Sequence, residues 1–183
     1  DIRKALYKAE IMKLNKSYRS GYEITELAKS ISGNSEIDVV ERHTEKPQLI
    51  EVSSREAESQ LMREMIMEVD VNNPTSTAYI FKLEKDAIAF FESLGELQKR
   101  ATLLVSGCQA FTNGIVVTTS HMAKGLEFDE VVIPDVTKAN YNDEMDKSLL
   151  YIACTRAMHR LKMIFCEEHT EFINNALCIS KKK

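Results

Sequence analysis

Short apolar runs, most of them rich in β-branched or aromatic residues, recur along the chain with polar segments between them. The runs are EIMKLN (10–15), QLIEVSS (48–54), TAYIFK (77–82), LLVSG (103–107), GIVVTT (114–119), EVVIPD (130–135) and LKMIFC (161–166). Runs of this length and composition favour buried strands over helices. Each run is therefore predicted to be one strand of a sheet, and the polar stretch 33–47 is predicted to hold one further minor strand.

Longer segments between most of these strands are predicted to be helical. They are YEITELAKSIS (22–32), which Gly33 closes, REAESQLMREMIMEV (55–69), EKDAIAFFESLGE (84–96), DEMDKSLLYIACTRAMH (143–159), and a terminal helix with a frayed basic tail, EEHTEFINNALCISKKK (167–183). An alternation of strands and helices is typical of a parallel sheet covered on both faces. The predicted fold class is therefore α/β.

Two of these helices have a predicted buried face. Along 55–69 the apolar residues that recur every fourth position are Ala57, Leu61, Met65 and Val69. This spacing makes the helix amphipathic, and Ser53 with Glu56 has the spacing of a capping box in front of it. Along 143–159 the predicted buried stripe is Leu149, Ile152, Ala153 and Ala157.

The composition is ordinary for a globular domain. The 183 residues are 44% hydrophobic and 28% charged, which is enough for one sizeable core. The net charge of −4 provides no overall positive field toward nucleic acid, so any such contact has to be local. We therefore predict a single domain over residues 1–183.

Membrane, secretion and metal-binding signals are missing from the sequence. No apolar run approaches the roughly eighteen residues that span a bilayer, and the charged start DIRKALYKAE is unlike a signal peptide. The four scattered cysteines form no CxxC pair, and Cys166 with His169 has no second pair to complete a metal site. We expect a cytoplasmic protein with reduced cysteines, no membrane contact and no metal site of its own.

Three polar motifs lie where predicted strands meet a connection or a helix. They are LNKSYRS (14–20), TTSHMAKGLEF (118–128) and LLYIACTRAMHRL (149–161). Taken singly, their residues have plain structural explanations. Arg19 and Arg156 could be surface charges, and Lys124 could pair with Glu127 on a turn around Gly125. The combination and order of the motifs favour a shared function instead.

Together the motifs resemble three signatures of the second RecA-like lobe of superfamily 1 helicases of the UvrD/Rep type. SYRS is similar to the family's NYRS, HMAKGLEF to HSAKGLEF, and LLYIACTRA to YVAxTRA. The likeness runs over most of the chain and is strongest from Gly114 to Phe165. It implies a RecA-like fold and the C-terminal motor lobe of an ATP-dependent DNA helicase or translocase, which is an ATP hydrolase.

The resemblance implies a nucleotide site to which all three motifs contribute. Arg19 and Arg156 would be the catalytic residues, because a guanidinium keeps its charge and donates parallel hydrogen bonds to the γ-phosphate as charge develops there. Tyr18 would stack on the adenine. Gly125 and Glu127 would also lie on the ATP side, where Glu127 would accept from the ribose or order the arginines.

On the nucleic-acid side, the resemblance assigns contacts with single-stranded DNA to Thr119 and His121. Contacts of this kind reach the phosphates and supply affinity without reading the sequence. Two departures from the family lie beside the motifs. Ser17 replaces an asparagine, and Lys147 with Ser148 replaces a basic pair ahead of LLY.

Two parts of an ATPase are missing from the sequence. No G-x-x-x-x-G-K-[ST] loop occurs to cradle phosphates, and no strand ends in a DE pair followed by glutamine for Mg²⁺ and the attacking water. Asp135 is interpreted as a strand terminus. The chain also begins with Asp and not with Met. We therefore expect a piece of a longer protein whose missing N-terminal lobe binds most of the ATP and Mg²⁺, and no ATPase activity of this chain alone.

Two other functions stay open. Unwinding relatives carry a bulky accessory domain ahead of the HSAKGLEF motif, yet only LQKRATLLVSGCQAFTN (97–113) is available here, and this span is too short for a domain. In this respect the chain is similar to the compact HelD-like branch, which implies an ATPase lobe that remodels or recycles RNA polymerase. A non-catalytic α/β interaction domain is the third candidate, because a fold does not fix a function.

Overall fold

The structure is a computed structural model that describes residues 16–17, 19–33, 38–39, 41–70, 75–107, 114–173 and 178–181. The predicted strand at 10–15 lies outside the described residues, and so does Tyr18 with its adenine-stacking assignment. Two short strands, β1 (Lys16–Ser17) and β2 (Asp38–Val39), pair with each other in parallel, so the minor strand predicted within 33–47 is confirmed.

The core is a seven-stranded sheet in which every neighbouring pair of strands is parallel. Its spatial order is β5-β6-β4-β7-β8-β3-β9. The strands are β3 (Gln48–Val52), β4 (Thr77–Phe81), β5 (Ala101–Leu104), β6 (Ile115–Thr119), β7 (Phe128–Ile133), β8 (Ala157–Cys166) and β9 (Cys178–Lys181). We call the side where the strands begin the amino edge of the sheet and the side where they end the carboxyl edge.

The central strands form because their residues are apolar toward both faces. Every residue of β4 and β6 is buried. β-Branched side chains such as Ile80, Val116 and Val117 pack well on a pleated surface that is covered from both sides. The parallel α/β sheet predicted from the sequence is confirmed.

Helices cover both faces of this sheet. They are α1 (Tyr22–Ser32), α2 (Arg55–Glu68), α3 (Glu84–Ser93) and α4 (Glu144–Cys154), with a 3₁₀ helix over Gly95–Arg100. On the first face, Ile24 of α1 and Leu150 of α4 pack in one apolar cluster. On the second face, Met62 of α2 and Phe90 of α3 pack in another. No helix in the described parts of the chain is long and apolar enough to cross a bilayer.

The prediction of a helix over 143–159 is wrong at its C-terminal end. Helix α4 stops at Cys154, and Ala157 already pairs with Phe128 as the first residue of β8. The apolar residues continue at helical spacing through Ala157. The helix nevertheless ends, because from Arg156 onward the backbone bonds to β7, beginning with the bond from the Phe128 N–H to the Arg156 carbonyl (3.0 Å). Arg156 therefore lies in the turn between helix and strand.

The predicted terminal helix is also wrong over the described residues of 167–183. Residues 167–173 form turns, with a bridge between Thr137 and His169, and Cys178–Lys181 is the edge strand β9. Its partner is β3, which carries β8 on its other side. Strand β9 joins the sheet through the backbone groups of β3 that face away from β8, and such a non-local partner is not visible in the local sequence.

The start of α2 differs from the prediction by one residue. Ser54, and not Ser53, is the N-cap, and its hydroxyl accepts from the Ala57 N–H at 3.2 Å. The buried residues of α2 are Glu58, Leu61, Met62 and Ile66, so Leu61 of the predicted stripe is confirmed. The predicted Ala57, Met65 and Val69 are only partly buried beside it.

Candidate nucleotide and nucleic-acid site

A very short crossover joins two parallel strands of the sheet. Residues 120–127 alone connect the carboxyl end of β6 to the amino end of β7, with β4 lying between these strands. Parallel crossovers usually need a dozen or more residues. Here consecutive turns span the distance, with bonds from Ala123 N–H to the Thr119 carbonyl (2.9 Å) and from Leu126 N–H to the Ala123 carbonyl (3.0 Å). The crossover therefore links the two edges of the sheet directly.

Gly125 is required by the backbone of this crossover. Its φ is +91°, in the region that side-chain-bearing residues rarely adopt, while a Cβ at this position would meet no atom within 4 Å. The restriction is therefore conformational and not one of space. Gly125 turns the chain so that Leu126 and Glu127 reach the amino edge.

Arg19 meets Glu127 at the amino edge. The Arg19 Nε donates to Glu127 Oε1, and the two side chains are 39% and 43% exposed. The segment that carries Arg19 is fixed to the start of β8, because the Ser20 hydroxyl donates to the Ala157 carbonyl at 2.7 Å. The predicted partnership of Glu127 with an arginine thus has a direct contact in the structure.

Arg156 is buried at the same edge, with only 8% of its surface exposed. Its guanidinium donates to three neutral oxygens: the Ile152 carbonyl (3.1 Å), the Leu126 carbonyl (3.2 Å) and the Thr155 hydroxyl (3.2 Å). Burial and the nearby Arg19 cation lower the pKa of Arg156. A buried guanidinium without a carboxylate pressed against it retains a strong attraction for an anion.

Both arginines line one cavity of about 200 Å³ on the first face of the sheet. Lys124 of the crossover lines it as a third cation, and α1 and α4 supply the walls through Ile24 and Ile152. None of the described residues that line it is acidic. We refer to it as the arginine cavity. Its surplus of positive charge suits a phosphate.

The two residues predicted to contact DNA lie at the other edge. Thr119 ends β6 and is only 4% exposed, and its hydroxyl accepts from the Met122 N–H at 3.4 Å. His121, two residues later, is exposed. The structure thus brings together Arg19, Glu127 and Arg156, with Gly125 in the same crossover, and it places Thr119 and His121 at the carboxyl edge.

Sequence reasoning missed several residues of this region. Lys124 had only a possible ion pair with Glu127 as its explanation, but it lines the arginine cavity, as do Tyr151 and Thr155. At the carboxyl edge, Lys82 pairs with the buried Asp146 in the first turn of α4 (2.5 Å). The position of Lys82 directly after the strand TAYIF was the one available signal, because strand ends carry polar function in parallel sheets.

Comparisons with known proteins agree with this architecture. The family model of the UvrD-like helicase C-terminal domain matches residues 114–164. That range covers β6, the crossover, β7, α4 and most of β8. A search of curated proteins found no match.

Among solved structures, the chain resembles the C-terminal domain of a possible DNA helicase from Lactobacillus plantarum WCFS1. The TM-score is 0.71 at 28% identity, over 91% of this chain and 99% of that one. The fold is that of a RecA-like helicase C-terminal domain.

More distant structures share this fold. An arterivirus helicase, nonstructural protein 10, solved in complex with DNA, matches with a TM-score of 0.52 at 10% identity, over 86% of this chain and 37% of that one. The C-terminal domain of the DEAD-box protein Dbp5 matches with a TM-score of 0.50 at 13% identity, over 74% of this chain and 88% of that one. At these identities the likeness is one of fold.

Proposed function

We propose that this chain is the C-terminal motor lobe of an ATP-dependent DNA helicase or translocase. The observation that carries the proposal is the convergence of Arg19 and Arg156, 137 positions apart in sequence, on one cavity without an acidic wall. Two guanidinium groups at one rim are the arrangement that stabilises charge developing on a γ-phosphate. The family match over 114–164 supports the same reading.

In this proposal the two arginines have different tasks. Arg156 is held in place by three backbone and hydroxyl oxygens before any ligand arrives, so it is preorganised for the transition state. Arg19 is half exposed and is held by Glu127, which orders it until a phosphate competes for the guanidinium. Tyr18, the neighbour of Arg19, would stack on the adenine.

The remaining parts of the site would come from another RecA-like lobe. This sequence holds no phosphate-binding loop. Among the described residues there is no group of three His, Cys, Asp or Glu side chains that could hold a metal ion. We therefore assign the phosphate loop and the Mg²⁺ ligands to an N-terminal lobe of the same protein, with ATP between the lobes.

The crossover at 120–127 is the segment that would couple the nucleotide site to the contact with DNA. One end lies at His121 on the carboxyl edge, where single-stranded DNA would bind, and the other ends at Glu127 beside Arg19. A displacement of either end is transmitted within a few residues whose turns are hydrogen-bonded. Closure of the two lobes on ATP would in this way change the contacts of this chain with the single-stranded DNA.

The test is ATP hydrolysis by the full-length protein carrying Arg156→Lys. An arginine that contacts the γ-phosphate contributes on the order of 10³ to 10⁵ in rate, so turnover should fall by at least three orders of magnitude, with about the same ATP affinity. Arg63→Lys, on α2 of the second face, is the matched control and should hydrolyse ATP like the wild type. Equal turnover of the two variants would reject the proposal.

A second candidate is an ATPase lobe that remodels RNA polymerase. The observation in its favour is the short connection of β5 to β6, residues 105–114, which has no room for an accessory domain. Retention of RNA polymerase by the full-length protein after nuclease treatment would favour this function. Binding to single-stranded DNA that weakens steeply with salt would favour the helicase.

A further inference from the structure

Helix α4 is a second connection between the two edges of the sheet, beside the crossover at 120–127. It lies between the carboxyl end of β7 and the amino end of β8, which pair in parallel. Its 11 residues span roughly 16 Å. One end of α4 therefore belongs to the carboxyl edge and the other to the amino edge.

The C-terminal end of α4 holds Arg156. The Arg156 Nε donates to the carbonyl of Ile152 in the last turn at 3.1 Å, and Nη2 donates to the hydroxyl of Thr155, the C-cap residue, at 3.2 Å. The Thr155 hydroxyl in turn donates to the same Ile152 carbonyl at 2.9 Å. Two of the three contacts of the guanidinium are thus made with α4 and its cap, so a displacement of the helix displaces the guanidinium.

The N-terminal end of α4 is held by a buried ion pair. Lys82 Nζ lies 2.5 Å from Asp146 Oδ1 in the first turn of α4, and the two side chains are 17% and 8% exposed. Asp146 Oδ2 also accepts from the Asn142 N–H at 3.0 Å, and Lys82 also donates to the Asn140 carbonyl. No second cation pairs with Asp146 among the described residues. Both partners of the ion pair are therefore fixed by their surroundings.

Lys82 attaches α4 to the edge where single-stranded DNA would bind. It directly follows Phe81, the last residue of β4, whose carbonyl accepts from the Ser120 N–H at 3.2 Å. Ser120 lies between Thr119 and His121, the two residues with predicted DNA contacts. The Lys82–Asp146 pair thus joins the start of α4 to the backbone that carries these residues.

Apolar packing alone does not fix α4 along its own axis. Leu149, Leu150 and Ala153 are the apolar side chains that α4 buries ahead of its last residue. Hydrophobic burial is not directional, so it keeps this stripe against the sheet but tolerates a small shift along the helix axis. A buried ion pair tolerates much less, because a misplaced partner leaves a charge unpaired away from water. The axial position of α4 is therefore set at Asp146.

We propose that Lys82 is a positioning residue that sets the guanidinium of Arg156 through α4. The ion pair fixes one end of the helix, and the last turn at the other end fixes Arg156. A displacement at the carboxyl edge then reaches Arg156 through α4 as well as through the crossover. The consequence for ATP turnover rests on the proposed function, whereas the position of Arg156 is measurable without it.

The first experiment follows the Arg156 Nε–Hε resonance of this chain in ¹⁵N NMR spectra. Lys82→Met removes the charge and should shift this resonance. Lys82→Met combined with Asp146→Asn should shift it too, and this double variant leaves no unpaired buried carboxylate and keeps an acceptor for the Asn142 N–H, so that it guards against a loss of folding. Lys85→Met, the same substitution at an exposed position of α3 on the same edge, is the control and should leave the resonance unchanged.

The second experiment measures ATP hydrolysis by the full-length protein. Lys82→Met and the double variant should each lower kcat about tenfold to hundredfold, the effect of a misplaced catalytic group, with an unchanged KM for ATP. Lys82→Arg should keep most of the turnover, because a guanidinium pairs with the same carboxylate. In the Arg156→Lys background, Lys82→Met should cost no further turnover, since both changes act on one group.

Three outcomes would overturn the inference. The first is an unchanged Arg156 resonance in both Lys82→Met and the double variant. The second is full turnover of the double variant, because the single variant would then act only through its unpaired carboxylate. The third is an undiminished further loss from Lys82→Met in the Arg156→Lys background. If Arg156→Lys itself hydrolyses ATP like the wild type, the proposed function fails, and the resonance shift still decides whether Lys82 positions Arg156.

Discussion

The guanidinium of Arg156 donates to the carbonyl oxygen of Leu126, 3.2 Å away. Leu126 directly precedes Glu127, which binds Arg19. Both arginines are therefore positioned by adjacent residues of one crossover, the segment that also carries His121 at the opposite edge of the sheet.

Replacing Arg156 by lysine should affect stability as well as catalysis. The guanidinium satisfies three acceptors at once, and a lysine ammonium cannot reproduce that planar geometry. We expect the free energy of unfolding of this chain to fall by about 1–3 kcal/mol, the range for unsatisfied buried partners, measured by urea denaturation. An unchanged unfolding midpoint would mean that the three contacts contribute nothing to the stability of this chain.

Replacing Glu127 by glutamine should separate catalysis from stability. The Arg19–Glu127 pair is about half exposed, so we expect a change in unfolding free energy below about 1 kcal/mol. Arg19 loses its charged partner, and under the proposed function ATP turnover of the full-length protein should fall roughly tenfold because the Arg19 guanidinium is no longer oriented toward the γ-phosphate. Glu92→Gln, at an exposed site on α3, is the control. A large loss of stability with normal turnover would contradict the assignment.

Gly125 should tolerate asparagine better than alanine. At a φ of +91°, a Cβ costs about 1–2 kcal/mol, whereas asparagine visits left-handed conformations more readily. We expect Gly125→Ala to lower the unfolding free energy by that amount and Gly125→Asn to lower it less, in the same urea experiment. Equal stability of Gly125→Ala and the wild type would show that the crossover adapts without this backbone conformation.

The central sheet could be predicted from the sequence because its signal is local. Residues such as Ile80, Val116 and Val117 are buried within continuous apolar runs, and such runs have few alternatives to a buried strand. Cys154 and Ala157 show the opposite case. Both are buried and fit a helical spacing. The helix nevertheless ends at Cys154, and Ala157 pairs with β7. The pairing with a strand distant in sequence therefore decides the structure here, and not the local pattern.

The candidate site was predictable only through the resemblance. Arg19 and Glu127 are 108 positions apart, and no local pattern indicates that they meet. The partners of Arg156 are backbone carbonyls and a hydroxyl, which a sequence does not mark at all.

Glu58 should make the folded chain less stable as the pH rises toward neutrality. Its carboxylate is buried beside Asp135, from whose N–H it accepts at 2.7 Å, and Arg55 is drawn mainly to Asp135. Burial raises the pKa of Glu58 to about 7 from an ordinary value of 4.5. The folded state therefore binds more protons than the unfolded state between these two values, and stability present below pH 4.5 is lost as the pH rises through 7.

Glu58→Gln isolates this effect from other titrating groups. Glutamine keeps the acceptor for the Asp135 N–H but carries no charge at any pH. We expect the unfolding free energy of the wild type, relative to that of the variant, to fall by about 3 kcal/mol between pH 4.5 and 7.5, the linkage value for a shift of this size. Urea denaturation at half-unit pH steps measures the difference. A constant difference would mean that the pKa of Glu58 is the same in the folded and unfolded states, with Arg55 and the Asp135 N–H compensating its burial in full.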